Sequence, residues 1–235
     1  MKTIGLLGGM TWESSLEYYR IINKTIQQEL GGAASAEIVL YSFNFQKIAE
    51  AQSKEDWGVL KQKLVNAAKN CKQSGAEFIV ICTNTMHTLA EDIELSAEIP
   101  VFHIADTVGA AAQKLDVSKV GLLGTRFTME EEFYKSKLKN TYNIETVIPE
   151  EMQRKTVNSI IFDELCKGIK NPDSKMKLID VINGLQSKGA QAIVLGCTEL
   201  PFLISQEDTG LPVINTTELH ASAAAQFALK KQAEI

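Results

Sequence analysis

Two stretches of the 235-residue chain end an apolar run on residues that can hold and move protons: VICTNTMH at 80–87 and VLGCTEL at 194–200. Thiolates are competent bases, hydroxyls donate or relay protons, and a nearby carboxylate can orient either group. The thiols on view are Cys82 and Cys197. The remaining cysteines, Cys71 and Cys166, belong to no C-x-x-C and have no paired histidine, so neither a zinc site nor a disulfide framework is expected.

An internal repeat separates the two thiols. IGLLG at 4–8 recurs as VGLLG at 120–124, and SGAEFIVICTNT at 74–85 recurs as KGAQAIVLGCTE at 188–199. IPVFHI at 99–104 resembles LPVINT at 211–216, and AAAQ stands at 110–113 and again at 223–226. Ser14-x-x-Glu17 and Thr128-x-x-Glu131 read as capping boxes one repeat apart. With the second match taken as the register, Thr83 falls on Cys197 and Cys82 falls on Gly196. Side chains alternate faces along a strand, so Thr83 and Cys197 share one direction and Cys82 packs into its own lobe. Two proton-carrying groups on opposite sides of a bound molecule suit removal of a proton from one face of a stereocentre and its return on the other, with no cofactor needed.

These residues need strands and helices to place them. Apolar runs at 3–7, 37–41, 78–82, 100–104, 119–123, 144–148, 192–196 and 211–214 alternate with helical patterns. One such pattern is Leu16, Tyr19, Ile22, Ile26 and Leu30, closed by Gly31-Gly32. Short strands alternating with amphipathic helices predict an α/β fold with parallel sheets. The duplication predicts two similar lobes about a pseudo-twofold axis, residues 1–104 and residues 105–216. Ligands of such sheets bind beyond the carboxyl ends of the strands, which places the site in the cleft between lobes. Helix N-termini and small polar side chains there would stabilise developing negative charge: Asn84-Thr85, Thr198-Glu199, the Gly8-Gly9-Met10-Thr11 turn, and Gly124-Thr125 through Thr128.

Composition narrows the partners. With 45% hydrophobic and 23% charged residues and a net charge of −5, the chain is an ordinary globular protein without a basic face for nucleic acid. No run approaches the ~18 apolar residues of a membrane span, so a cytoplasmic location is expected. Gly8-Gly9 does not match the G-x-G-x-x-G of a dinucleotide loop.

GLLGGM at 5–10, CTNTMH at 82–87, LLGTRFT at 122–128 and GCTEL at 196–200 together resemble the aspartate/glutamate racemase family, pyridoxal-phosphate-independent enzymes of the Asp/Glu/hydantoin racemase superfamily. The resemblance spans nearly the whole chain. It implies two α/β lobes, a homodimer, no cofactor, and aspartate or glutamate as substrate. It also implies that the last segment, 217–235, packs on the first half and completes that lobe. Cys197 takes the place of one of the family's two cysteines, while Thr83 stands where the other usually lies. A Thr–Cys pair resembles a branch acting on L-aspartate and L-glutamate, and the two enantiomers would then be handled unequally. The implied substrate contacts are Met10, Gln52 and the Thr83–Thr85 run; Thr125, Thr198 and Glu199 join them by position, and Glu164 from a helix over 156–166. Glu199 could orient Cys197 or sit in a helix's first turn, favoured by its dipole, and His87 could cap, lie on the surface or belong to the site. Asn215 and His220 belong to the last strand–helix junction. Arg126 and Lys155 are candidates for a distal carboxylate by position. Hydantoin racemisation, maleate isomerisation and a catalytically idle amino-acid-binding protein are the rival readings.

Overall fold

The computed structural model describes residues 1–230; the end of the expected closing segment, residues 231–235, lies outside them. The chain forms two compact units, one of residues 1–103 with the chain from His220 onward, the other of Ile104–Leu219.

The first unit runs β1 (Ile4–Gly8), α1 (Trp12–Leu30), β2 (Ile38–Ser42), α2 (Phe45–Ser53), α3 (Trp57–Gln73), β3 (Phe78–Ile81) and α4 (Ala90–Ala97). Its parallel strands lie in the order β2-β1-β3. Parallel sheets bury both faces, which explains why β1 and β3 are apolar throughout. Ile4, Leu6, Phe78, Val80 and Cys82 pack with α1 and with alanines of the last helix. Leu7, Ile79 and Ile81 pack on the other side with α2, α3 and α4.

The second unit runs α5 (Ile104–Lys114), β4 (Lys119–Gly124), α6 (Arg126–Glu130), α7 (Glu132–Tyr142), β5 (Glu145–Val147), α8 (Glu151–Ser159), α9 (Pro172–Ser187), β6 (Ala192–Gly196), β7 (Val213–Asn215) and α10 (Thr216–Leu229), whose residues from His220 belong to the first unit. The strand order is β5-β4-β6-β7, again parallel. Val120, Leu122, Ala192 and Val194 face α5 and α7, whereas Leu123, Ile193, Leu195 and Cys197 face α8 and α9. The repeat is visible in the packing: a Cβ on Gly5 would meet Ile79 Cδ1 at 2.7 Å, and one on Gly121 would meet Ile193 Cδ1 at 3.0 Å.

Four local expectations need correction. The run at 100–104 makes only a bridge, Val101 to Ile79, because Pro100 has no N–H to extend the ladder and Ile104 already opens α5. The helix caps are Thr11 and Thr125, not Ser14 and Thr128. Each threonine hydroxyl accepts the N–H three residues on at 3.3 Å, so the caps too keep the repeat spacing. On α1 the buried stripe is Tyr18, Ile21, Ile22 and Ile26, leaving Leu16, Tyr19 and Leu30 exposed. Tyr18 turns inward because its hydroxyl finds a buried partner, His220 Nδ1, at 2.8 Å. The helix expected over 156–166 starts earlier as α8 and passes at Ile160 into a π turn and then a 3₁₀ turn ending at Lys167.

Candidate active site

β3 delivers Cys82 and Thr83 to its carboxyl end. The Cys82 N–H bonds to the Leu7 carbonyl at 3.0 Å, and the side chain is wholly buried beside Val80 and Phe78. Burial pushes its thiol pKa far up, with the neighbouring Cys71 adding to the effect. Cys82 is packing. Thr83 is half-buried, two residues past the end of β3 at Ile81. Asn84, Thr85 and Met86 follow as buried residues. His87, weighed as a cap, a surface residue or a site group, is buried, and its ring Nδ1 lies 2.8 Å from the Thr83 carbonyl.

In the same unit, the β1–α1 turn carries Met10, buried against the α2–α4 side of the core. Gly9 donates its N–H to Ser15 Oγ at 2.6 Å, and Ser15 Oγ donates in turn to the Thr11 carbonyl at 3.0 Å. Gly9 has φ +79°, and a Cβ there would lie 2.3 Å from the Phe43 carbonyl oxygen. Gln52 is buried on α2.

In the second unit, Cys197 is the first residue past β6, only 7% exposed. Its Sγ donates to Glu199 Oε2 at 2.9 Å, and Thr198 Oγ1 donates to the same oxygen at 2.7 Å. Burial first, then the Glu199 charge and its hydrogen bond, hold the thiol pKa well above the ordinary thiol range. The resting group is therefore a thiol. Of the two roles weighed for Glu199, its carboxylate is committed to Cys197 and Thr198. The Thr125 hydroxyl serves as the α6 cap.

Glu164 ends the π turn; its Oε1 accepts from Ser174 Oγ at 2.9 Å, and its Oε2 is buried with no hydrogen bond. π turns concentrate at functional positions. Arg126 lies over the Phe127 ring at 4.4 Å, and Lys155 pairs with Glu151 at 2.7 Å on the exposed side of α8. Asn215 Oδ1 accepts the N–H groups of Thr217 and Glu218, capping α10. Sequence reasoning missed Ser15, which braces the Gly9 turn, and His103, which packs against His87. Ser15 carries no motif, and His103 meets His87 only through the fold. Among the described residues no group of three or more His, Cys, Asp or Glu could hold a metal ion, and no helix is long and apolar enough to cross a membrane.

The chain thus folds as two α/β units with parallel sheets, β1 and β6 each running into a short polar turn. The profile of the Asp/Glu/hydantoin racemase family matches residues 7–224, and the chain belongs to that family. It is an enzyme of the racemase class. The broad specificity amino-acid racemase RacX of Bacillus subtilis (strain 168) is 25% identical over 239 residues, covering 97% of this chain and 99% of the relative. A Yersinia pestis structure assigned to the Asp/Glu racemases is 46% identical with a TM-score of 0.91, covering 98% of this chain and 100% of that one. An aspartate racemase homologue from Pyrococcus horikoshii OT3 is 34% identical with a TM-score of 0.83, at the same coverage.

Proposed function

We propose that this enzyme racemises aspartate or glutamate by moving the Cα proton, with Cys197 serving one face of the carbon, Thr83 the other, and no pyridoxal phosphate. The observation that carries this reading is the 2.9 Å hydrogen bond from Cys197 Sγ to the buried Glu199 carboxylate. A buried thiol with its own acceptor can change protonation state without solvent. To act as base, Cys197 passes its proton to Glu199 and the thiolate removes the Cα proton; the carbanion then takes a proton that the Thr83 hydroxyl relays from water, and the proton on Glu199 returns to the hydroxide left behind. In the opposite direction the resting thiol is already the acid. A hydroxyl is a far poorer base than a thiolate, so abstraction on the Thr83 side is the slower half. The L enantiomer is the one Cys197 deprotonates in this reading.

Met10, Gln52, Asn84, Thr85, Thr125, Thr198 and Glu164 are proposed to bind or surround the substrate, and Glu164 contributes the one site carboxylate oxygen that is buried without a hydrogen bond. A cytoplasmic homodimer is part of the same reading. The dimer is supported by Trp12, Leu16 and Tyr19, three large apolar side chains exposed at helical spacing on α1.

Deuterium wash-in at Cα, followed separately from L- and D-aspartate and L- and D-glutamate, tests the function. Exchange from the L form is expected to be faster, and Cys197→Ala is expected to abolish it. Equal rates from both enantiomers would remove the asymmetry; no exchange from any of the four would leave an amino-acid-binding protein.

A further inference from the structure

We infer that His87 is a positioning residue for the Thr83 half of the reaction, its neutral ring holding the Thr83 carbonyl and two further histidines holding that ring in place. The inference rests on the proposed role of Thr83 and goes beyond it.

Thr83 lies between the end of β3 at Ile81 and the 3₁₀ turn that opens at Thr85, and the backbone is tied on both sides of it. Before it, the Cys82 N–H is tied to the Leu7 carbonyl. After it, the carbonyls of Thr83 and Asn84 both turn to residue 87, the first meeting the ring Nδ1 at 2.8 Å and the second the backbone N–H at 3.0 Å. A carbonyl only accepts, so Nδ1 carries the hydrogen and the tautomer is set.

The second unit does this differently, which makes the histidine informative. One repeat on, His87 falls on Pro201, which has no N–H and no polar side chain. There the Cys197 carbonyl accepts the Leu200 N–H at 3.3 Å, and the turn is braced by the Glu199 side chain instead. The duplicated strand end thus has two retention devices. The carboxylate serves the thiol, and the imidazole serves the hydroxyl.

All three histidines of the chain meet at this point. The His87 ring centroid lies 4.8 Å from that of His103 and 5.4 Å from that of His220, each edge-on. His220 Nε2–H donates to the Phe102 carbonyl at 2.7 Å, which leaves Nδ1 to accept from the Tyr18 hydroxyl. Burial and the neighbouring imidazoles push the His87 pKa well down, in keeping with a ring that stays neutral as a fixed donor. A hydroxyl leaves a proton-transfer step little tolerance for misplacement, and a shift near 1 Å can cost about 10²-fold in rate.

The test compares His87→Asn, His87→Gln, His87→Leu, Thr83→Ala and the double variant Thr83→Ala/His87→Leu, with L- and D-aspartate and L- and D-glutamate as probes. Racemisation gives kcat and KM, Cα deuterium exchange gives each face, and thermal melting reports folding. An Asn amide nitrogen lies near the place of Nδ1, whereas a Gln amide reaches toward Nε2. His87→Leu is expected to lower kcat by about tenfold or more, with KM changed less than about threefold. His87→Asn is expected to recover most of the loss and His87→Gln little of it. In the Thr83→Ala background the exchange catalysed by Cys197 is expected to persist, with His87→Leu changing it less than about twofold. An undiminished His87→Leu effect in that background, or Gln rescuing as well as Asn, would overturn the inference while leaving Thr83 in its role. Thr83→Ala racemising at the wild-type rate would overturn the role of Thr83 and the inference with it. If His87→Leu does not fold, the order of Asn and Gln decides.

Discussion

Cys197 and Glu199 form a buried thiol–carboxylate pair, Sγ donating to Oε2 at 2.9 Å, in which the carboxylate raises the pKa of the thiol it touches. The same contact therefore keeps Cys197 protonated at rest and supplies the acceptor for its proton. Glu199→Gln removes the charge and the anionic acceptor but leaves the burial. The thiol pKa should fall, because two of its raising causes are gone, yet remain above the ordinary range. Iodoacetamide labelling of Cys197 across pH, read by peptide mass spectrometry, should show its midpoint displaced to lower pH in the variant. Racemisation should drop by about 10²-fold or more, the size of a lost general-base contribution. An unmoved labelling midpoint would mean that the carboxylate does not govern the thiol.

The buried histidines predict an acid-sensitive first unit. His220 is pushed down to about 3 by burial, with His103 adding to the effect and the Phe102 carbonyl opposing it; His87 is lowered as well. The groups facing these rings are Tyr18, His103 and the carbonyls of Thr83 and Phe102. Each ring binds its proton less readily folded than unfolded. Their stabilisation is thus fully present above the unfolded histidine value near 6.5 and is lost as pH falls below it. For His220 the loss continues down to about 3. Each histidine removes up to about 1.4 kcal/mol per pH unit in this window. Urea unfolding of wild type and His87→Asn between pH 7.5 and 4.5 isolates one of them. The wild-type curve should fall more steeply, and parallel curves would contradict the neutral assignment.

Much of this was legible in the sequence because a duplication is a statement about geometry. The alternation along β3 appears as two core clusters, Phe78 and Val80 with Cys82 on one side and Ile79 and Ile81 on the other. Strands β1, β3, β4 and β6 were readable because strands buried on both faces need continuous apolar runs. The caps were misread by three residues because Thr11 and Ser14, like Thr125 and Thr128, are all competent capping types. The hydroxyls within each pair lie 3.2 Å apart, so only the backbone decides between them. His87, His103 and His220 could not be joined from spacing, because their meeting depends on α10 returning to the first unit. The commitment of Glu199 to Cys197 turns on a side-chain rotamer, which no sequence pattern encodes.

Cys82 provides a clean contrast with Cys197. Its side chain packs with Ile4, Leu6, Tyr18 and Val80, and its sulfur makes a long contact to the Val80 carbonyl at 3.9 Å. Cys82→Ala should lower stability by about 1–2 kcal/mol through the small cavity it leaves, with kcat within about twofold of wild type. Cys197→Ala should do the reverse, abolishing exchange at little cost to folding. Urea titration and racemisation assays on both variants check the pair, and loss of turnover in folded Cys82→Ala would return that thiol to the chemistry.

The β1–α1 turn carries the last prediction. Gly9 combines a left-handed backbone, φ +79°, with a Phe43 backbone nitrogen and oxygen within 2.4 Å of where a Cβ would be. Both obstacles are main chain, so no side-chain rotation relieves them. The N–H of Gly9 also seats Ser15, whose hydroxyl holds the Thr11 carbonyl at the start of α1. Gly9→Ala should therefore destabilise the first unit by about 2–5 kcal/mol, the sum of backbone strain and overpacking, and displace Met10 from the core. Gly210→Ala is the control, because a Cβ there meets nothing within 4 Å and φ is not left-handed. It should change stability by less than about 0.5 kcal/mol. Equal tolerance of both alanines in thermal and urea unfolding would mean that the turn moves to accept a side chain and that close approach at Gly9 is not what its glycine provides.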